Sequence, residues 1–207
     1  MSDADVPVVA LVCSVGGLEA VSRVLAPLPT DLPAALLVLQ HRSPDDPSML
    51  AEVLARRTAL PVATARDGDG LTPGRVLVAP AGQHMLVTPQ RTIALIISGP
   101  VPPYRPSADL LLTSLALAVG PGAIAVVLSG HGNDGATGAT AVDRFGGVVI
   151  TSDELSSEVF TMPRATITRD RIADHVVPLD DVPGLLVALT TAPVLEHEGA
   201  GDALHQP

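Results

Sequence analysis

The sequence predicts an α/β fold: a doubly wound, mostly parallel sheet flanked by helices, Rossmann-like in organisation, with a small antiparallel section. Three observations predict it. Short apolar runs of strand length alternate with stretches of helical period, which is how consecutive strand–helix units of a parallel sheet read in sequence. The alternation breaks once, over 75–98, where three strand-like runs follow one another with no helix between them. It then resumes and continues almost to the carboxyl terminus.

Taken in order, "VPVVALVC" (6–13) reads as the first strand and "GGLEAVSRVLAPL" (16–28) as the helix after it. "PAALLVLQ" (33–40) and "DPSMLAEVLARRTAL" (46–60) repeat the pair. The stretch "RVLVAPAGQHMLVTPQRTIALIIS" (75–98) reads as an antiparallel excursion or an edge of the same sheet. A proline-rich loop, "GPVPPYRPSAD" (99–109), follows and is long enough to suggest a function. Ser107 caps the next helix, "SADLLLTSLALAV", which Gly120-Pro121 stops. Strand "AIAVVLS" (123–129), a glycine-rich loop, helix "GATGATAVDRF" (135–145) and strand "GGVVIT" (146–151) come next, and strand "DHVVPL" and helix "DDVPGLLVALTTA" close the unit. The organisation is one domain over 7–193, with an amino-terminal tail at 1–6 and a polar, disordered tail at 194–207.

Composition excludes several classes. A 207-residue chain with 47% hydrophobic and 16% charged residues buries a substantial core and is not generally disordered. No apolar run reaches the 18 residues or so that a membrane span needs, so insertion in a membrane is not expected. The acidic start "MSDADVP" lacks the features of a secretory signal, and the single cysteine, Cys13, allows no internal disulfide; both fit a reducing cytoplasm. A net charge of −10 without a basic run argues against nucleic acid, whose backbone is bound mainly by Lys and Arg displacing counterions.

In an open parallel sheet, ligands bind beyond the carboxyl ends of the strands, so the residues just after each strand are the ones to inspect. The first strand ends at Ser14, the second at His41, and "AIAVVLS" at "GHGNDG", which contains Asp134. A serine, a histidine and a carboxylate from three strands on one rim are what is needed to activate a hydroxyl. Histidine takes the proton, and the acid fixes the imidazole tautomer and stabilises the imidazolium. "VCSVG" (12–16) also approximates the strand-to-helix elbow G-x-S-x-G, lacking only its first glycine, and the Val15 N–H is an oxyanion donor candidate. Singly, each residue has a plainer reading: Ser14 as a helix cap, His41 as a loop histidine, Asp134 as the cap of the following helix. Their joint placement favours chemistry. Of the six histidines, His197 and His205 lie in the tail, His175 starts a late strand and His84 sits in the middle section, leaving His41 and His131 as candidates.

Gly130-His131-Gly132-Asn133-Asp134-Gly135 literally satisfies G-x-G-x-x-G after a strand and before a helix, with Asp153 after the next strand, as a dinucleotide-binding oxidoreductase would show. Asp134 opposes that reading, since a carboxylate in the turn repels a pyrophosphate.

With these residues assembled, the sequence resembles the catalytic domain of CheB-type protein-glutamate methylesterases. The resemblance runs from about residue 8 to 190 through "CSVGGLEA", "LQHRSP", "DGDGLTPGRVLVAP" with "QHM", "YRPSAD", "LSGHGNDGATG" and "VFTMPRAT", in family order. It implies a doubly wound sheet, Ser14 as nucleophile, His41 as general base and Asp134 as the orienting acid. It also implies hydrolysis of glutamyl methyl esters on chemoreceptors, or deamidation of their glutamines, without a metal or organic cofactor, and methylated receptor helices or a similar signalling protein as partner. Site lining falls to Val15, Gly16 and His131. Three departures stand out. Val15 replaces a usual threonine and Cys13 a usual alanine. His131 replaces a methionine whose main-chain N–H serves the oxyanion hole. Typical members also carry an amino-terminal receiver domain, whereas this chain opens on the catalytic strand, so control by phosphorylation within it is not expected. A catalytically altered module that binds receptor helices or a signalling partner is the alternative from another class.

Overall fold

A computed structural model describes residues 6–43, 49–97 and 105–191. Seven strands form one parallel sheet in the order β3-β4-β2-β1-β7-β8-β9: β1 Val8–Cys13, β2 Ala35–Gln40, β3 Val62–Thr64, β4 Val76–Val78, β7 Ala123–Val127, β8 Val148–Ser152 and β9 His175–Val177. The remaining two, β5 Gln83–Val87 and β6 Ile93–Ile97, pair antiparallel as a separate hairpin.

Every residue of β1 is buried because the sheet is covered on both faces. Val9, Leu11 and Cys13 point into one apolar layer, and Val8, Ala10 and Val12 into the other. The first layer packs under α1 (Gly17–Leu25), α2 (Leu50–Ala55) and α6 (Val182–Thr191). The second packs under α3 (Ala108–Val119), α4 (Ala136–Arg144), α5 (Thr161–Thr168) and the hairpin. Helix α1 shows why it docks. Ala20, Val21, Val24 and Leu25 form the buried stripe, while Glu19 and Arg23 lie outside it.

The expected doubly wound sheet is present, with four local differences. The run expected as antiparallel over 75–98 divides: β4 joins the parallel sheet between β3 and β2, and only β5 and β6 are antiparallel. The helix expected over 46–60 covers Leu50–Ala55. It stops before Leu60, which must leave helical geometry because Pro61 follows it, and the chain enters β3, an unexpected edge strand. Helix α5 runs against local preference, since Thr161, Thr166, Ile167 and Thr168 are β-branched. Burial of Met162, Pro163 and Thr166 against the sheet overrides that preference. Val6, assigned to a tail, is buried; residues 1–5, the carboxyl-terminal tail and most of the proline-rich loop lie outside the described residues. Among the described residues no helix is long and apolar enough to cross a membrane.

The chain winds from β1 outward to β2, then returns to the other side of β1 at β7, so the direction of winding reverses between β1 and β7. The loops after these two strands diverge there to opposite faces. This opens a crevice at the carboxyl rim where an open α/β sheet has room for a ligand.

Candidate active site

Ser14 leaves the sheet at that crevice. The β1–β2 register ends with Cys13 opposite Gln40, so Ser14 and His41 emerge side by side, and the His41 amide donates to the Cys13 carbonyl at 3.0 Å. On the other flank the Ser14 amide donates to the Ser129 carbonyl at 2.9 Å. The Ser14 carbonyl accepts from the Gly17 amide at 3.0 Å and from Gln40 Nε2 at 3.2 Å. Neighbours on both sides thus hold the main chain of Ser14.

The turn into α1 passes through Gly16, whose φ of 75° lies in the left-handed region and whose Cβ, if present, would stand 2.7 Å from Glu158 Oε2. Gly16 is the helix N-cap, which retires the reading of Ser14 as that cap. Ser129 ties the turn together: its hydroxyl donates to the Val15 carbonyl at 2.8 Å and accepts from the Val159 amide at 2.9 Å. Gly130 completes the close approach. A Cβ there would lie 2.7 Å from Ser14 Cβ and would collide with Met162 Sδ, so the end of β7 reaches the serine only as glycine.

His41 and Asp134 meet directly, Nε2 to Oδ2 at 2.7 Å, with side chains only 10% and 3% exposed. Asp134 is supplied with donors. Oδ2 also accepts from the Ala108 amide at 2.7 Å, and Oδ1 accepts from the Asp109 amide at 3.0 Å and the Ser107 hydroxyl at 3.1 Å. Burial acts to raise the Asp134 pKa, but the hydrogen bonds from His41 and from the Asp109 and Ala108 amides prevail and hold it below the ordinary carboxylate value. An ionised Asp134 against Nε2 sets the neutral imidazole as its Nε2–H tautomer, with the lone pair on Nδ1.

Asp134 therefore does not cap α4, as one sequence reading had it; it sits at the amino terminus of α3, where the helix field favours negative charge. The amino terminus of α4 is filled reciprocally, with Asp109 Oδ1 accepting from the Gly135 amide at 2.9 Å and the Gly138 amide at 2.8 Å. Burial, aided by the nearby Asp134 charge, raises the Asp109 pKa against the pull of these amides. The exchange also overturns the dinucleotide reading of the glycine-rich loop. The α4 amides that a pyrophosphate requires are already taken by a carboxylate.

Ser14 is partly exposed at the crevice, on the strand end next to the one that carries His41. Val15 is 47% exposed and His131 is exposed, both flanking the serine in sequence or through Gly130. Cys13 faces the core under α1, and burial pushes its thiol up to about 12, so it packs as a small hydrophobe. Among the described residues no group of His, Cys, Asp or Glu side chains is arranged to hold a metal ion. One further histidine lies close to the site. His84, buried on β5, accepts the Ser107 amide on Nδ1 at 3.0 Å. The "QHM" motif marked it, but only the folding of the hairpin onto α3 brings it behind Asp134.

Fold and rim together define a doubly wound α/β protein with a buried histidine–aspartate pair at its topological switch point. The CheB methylesterase family model matches residues 9–186. Over 190 residues the chain is 39% identical to a protein-glutamate methylesterase/protein-glutamine glutaminase of Moorella thermoacetica, spanning 90% of this chain and 45% of that protein. It is 39% identical over 181 residues to the protein-glutamate methylesterase FrzG of Myxococcus xanthus, spanning 87% of this chain and 54% of that one. The crystal structure of the Thermotoga maritima CheB methylesterase catalytic domain superposes with a TM-score of 0.84 at 33% identity, covering 88% of this chain and 98% of the other. The chain belongs to the CheB methylesterase family. It spans about half the length of these two relatives.

Proposed function

We propose that this chain is a protein-glutamate methylesterase acting on methylated chemoreceptor helices in the cytoplasm, with Ser14 as nucleophile, His41 as general base and Asp134 as the acid that orients it. The observation that carries the reading is the 2.7 Å His41–Asp134 contact, buried at the rim beside Ser14. Names of the Moorella and Myxococcus relatives supply the substrate class.

In this mechanism Ser14 Oγ attacks the γ-carbonyl carbon of a glutamyl methyl ester while His41 Nδ1 takes the hydroxyl proton. The imidazolium is stabilised across the ring by Asp134. Negative charge on the carbonyl oxygen is met by main-chain N–H groups, those of Val15 and His131 being the candidates, and such donors are each worth about 10²–10³ in rate. The tetrahedral adduct collapses, and the proton on His41 goes to the departing methoxide as methanol. Water, deprotonated by His41, then attacks the acyl-enzyme and releases glutamate and free Ser14. The same steps on a glutamine release ammonia.

Methanol release from a methylated receptor fragment, with Ser14→Ala as control, tests this reading. Release by the native chain and at least a 10³-fold loss in the variant are expected, given what removal of a nucleophile costs elsewhere. Equal release by both proteins, or none by the native chain, overturns it in favour of a binding module.

A further inference from the structure

His84 takes no part in the proposed chemistry, yet it is 3% exposed and stands directly behind the acid. Its Nδ1 accepts the Ser107 amide at 3.0 Å. Ser107 in turn donates its hydroxyl to Asp134 Oδ1 and opens α3, whose Ala108 and Asp109 amides supply two further donors to the same carboxylate. Three consecutive residues thus converge on Asp134, and His84 holds the first of them.

The local chemistry explains why an outside acceptor is needed. Ser107 is the N-cap of α3, and its hydroxyl also accepts from the Leu110 amide. In a capping box the third residue of the helix would be Glu or Gln and would reach back to the N-cap amide. Leu110 occupies that place and has no acceptor, so the Ser107 amide turns outward to the imidazole of another element.

We propose that His84 is a positioning residue for the esterase site: as the neutral Nε2–H tautomer it seats Ser107 and the first turn of α3, so that Asp134 presents a fixed oxygen to His41. An amide N–H donor facing Nδ1 requires a lone pair there, so the protonated ring breaks the arrangement. Burial keeps the ring neutral by lowering its pKa, and Arg105 acts in the same direction while Asp134 opposes it. The inference rests on Ser14, His41 and Asp134 acting as proposed above.

Two substitutions separate positioning from mere packing. His84→Asn places an amide oxygen near the position of Nδ1, and His84→Leu fills the space without an acceptor. With methylated receptor fragment as substrate, His84→Leu is expected to lower kcat about tenfold or more with KM changed less than about twofold, because one unpaired buried donor loosens the acid without touching the substrate site. His84→Asn is expected to stay within about threefold of the native kcat. Equal kcat in Leu and Asn variants, or a change confined to KM, overturns the proposal.

Labelling of Ser14 by a fluorophosphonate is run alongside. Native labelling without turnover of the receptor fragment removes the substrate reading but leaves His84 tested by the labelling rates, which should rank native, Asn, Leu. No native labelling at Ser14 removes both. Should His84→Leu fail to fold, the native protein still decides. Long-range ¹H–¹⁵N spectra between about pH 6 and 8 must show His84 with a bare Nδ1, and a protonated Nδ1 overturns the assignment.

Discussion

Replacing Asp134 by asparagine keeps the size of the side chain and removes one acceptor oxygen. In the native site each oxygen accepts twice: Oδ2 from His41 Nε2 and the Ala108 amide, Oδ1 from the Asp109 amide and the Ser107 hydroxyl. An asparagine amide nitrogen must occupy one of these positions and there confronts donors with a donor. If it replaces Oδ1, the Asp109 amide is left unpaired and the Ser107 hydroxyl must rotate. If it replaces Oδ2, the Ala108 amide is left unpaired and His41 must shift its proton to Nδ1 to accept. That tautomer has no lone pair on the nitrogen that serves as base. One to two unpaired buried donors cost about 2–4 kcal/mol in unfolding free energy, which for a chain of this size lowers Tm by on the order of 10 °C. Loss of the charge that stabilises the imidazolium and, where the amide nitrogen replaces Oδ2, of the correct tautomer as well, lowers kcat by on the order of 10³–10⁴-fold. Urea unfolding and methanol release measure the two quantities on the same preparation. Asp134→Asn retaining activity within about tenfold of native would refute the orienting role, and an unchanged unfolding free energy would refute the count of converging donors.

Three further outcomes are expected. Gly130→Ala places a methyl group 2.7 Å from Ser14 Cβ and 2.9 Å from its backbone nitrogen, and should cost about 1–3 kcal/mol while cutting turnover far more than folding; native-like turnover would show that the β7 end is free to move away. Asp109→Asn retains a carbonyl oxygen for the Gly135 and Gly138 amides and should stay within about 1 kcal/mol of native stability, whereas Asp109→Ala leaves both amides unpaired and should lose about 2 kcal/mol or more; equal losses contradict the reciprocal capping. Acid should destabilise the fold in two stages, because His84 and Asp134 both have folded pKa values below their unfolded ones. Stability from each is present above the unfolded value and lost as pH falls through the folded one, beginning below 6.5 for His84 and below 3.8 for Asp134. Urea titrations across this range should show the first stage absent in His84→Asn.

Much of the molecule is legible in one dimension. Strands buried on both faces must be apolar throughout, so "VVALVC", "ALLVLQ" and "AIAVV" announce a covered parallel sheet before any contact is known. The position of Ser14, His41 and "GNDG" just beyond strand ends then selects the rim. Packing and pairing are legible less well. Whether "RVLV" adds a parallel strand while "QHMLV" and "TIALII" fold back as a hairpin depends on which sheet edge is open, a long-range question that local pattern does not answer. Helix α5 forms against its own propensity for the same reason, because a buried face outweighs a few tenths of a kcal/mol per residue.

Burial and strand length are written residue by residue, so fold class and rim can be read from the chain alone, and with them the placement of Ser14, His41 and Asp134 just beyond strand ends. What surrounds the acid follows from packing. Asp134 and Asp109 each lie at the start of the other's neighbouring helix, and His84 reaches Ser107 across 23 positions of chain. A buried carboxylate needs donors from wherever the packed chain offers them, and the amino termini of α3 and α4 become partners only when the two helices lie side by side.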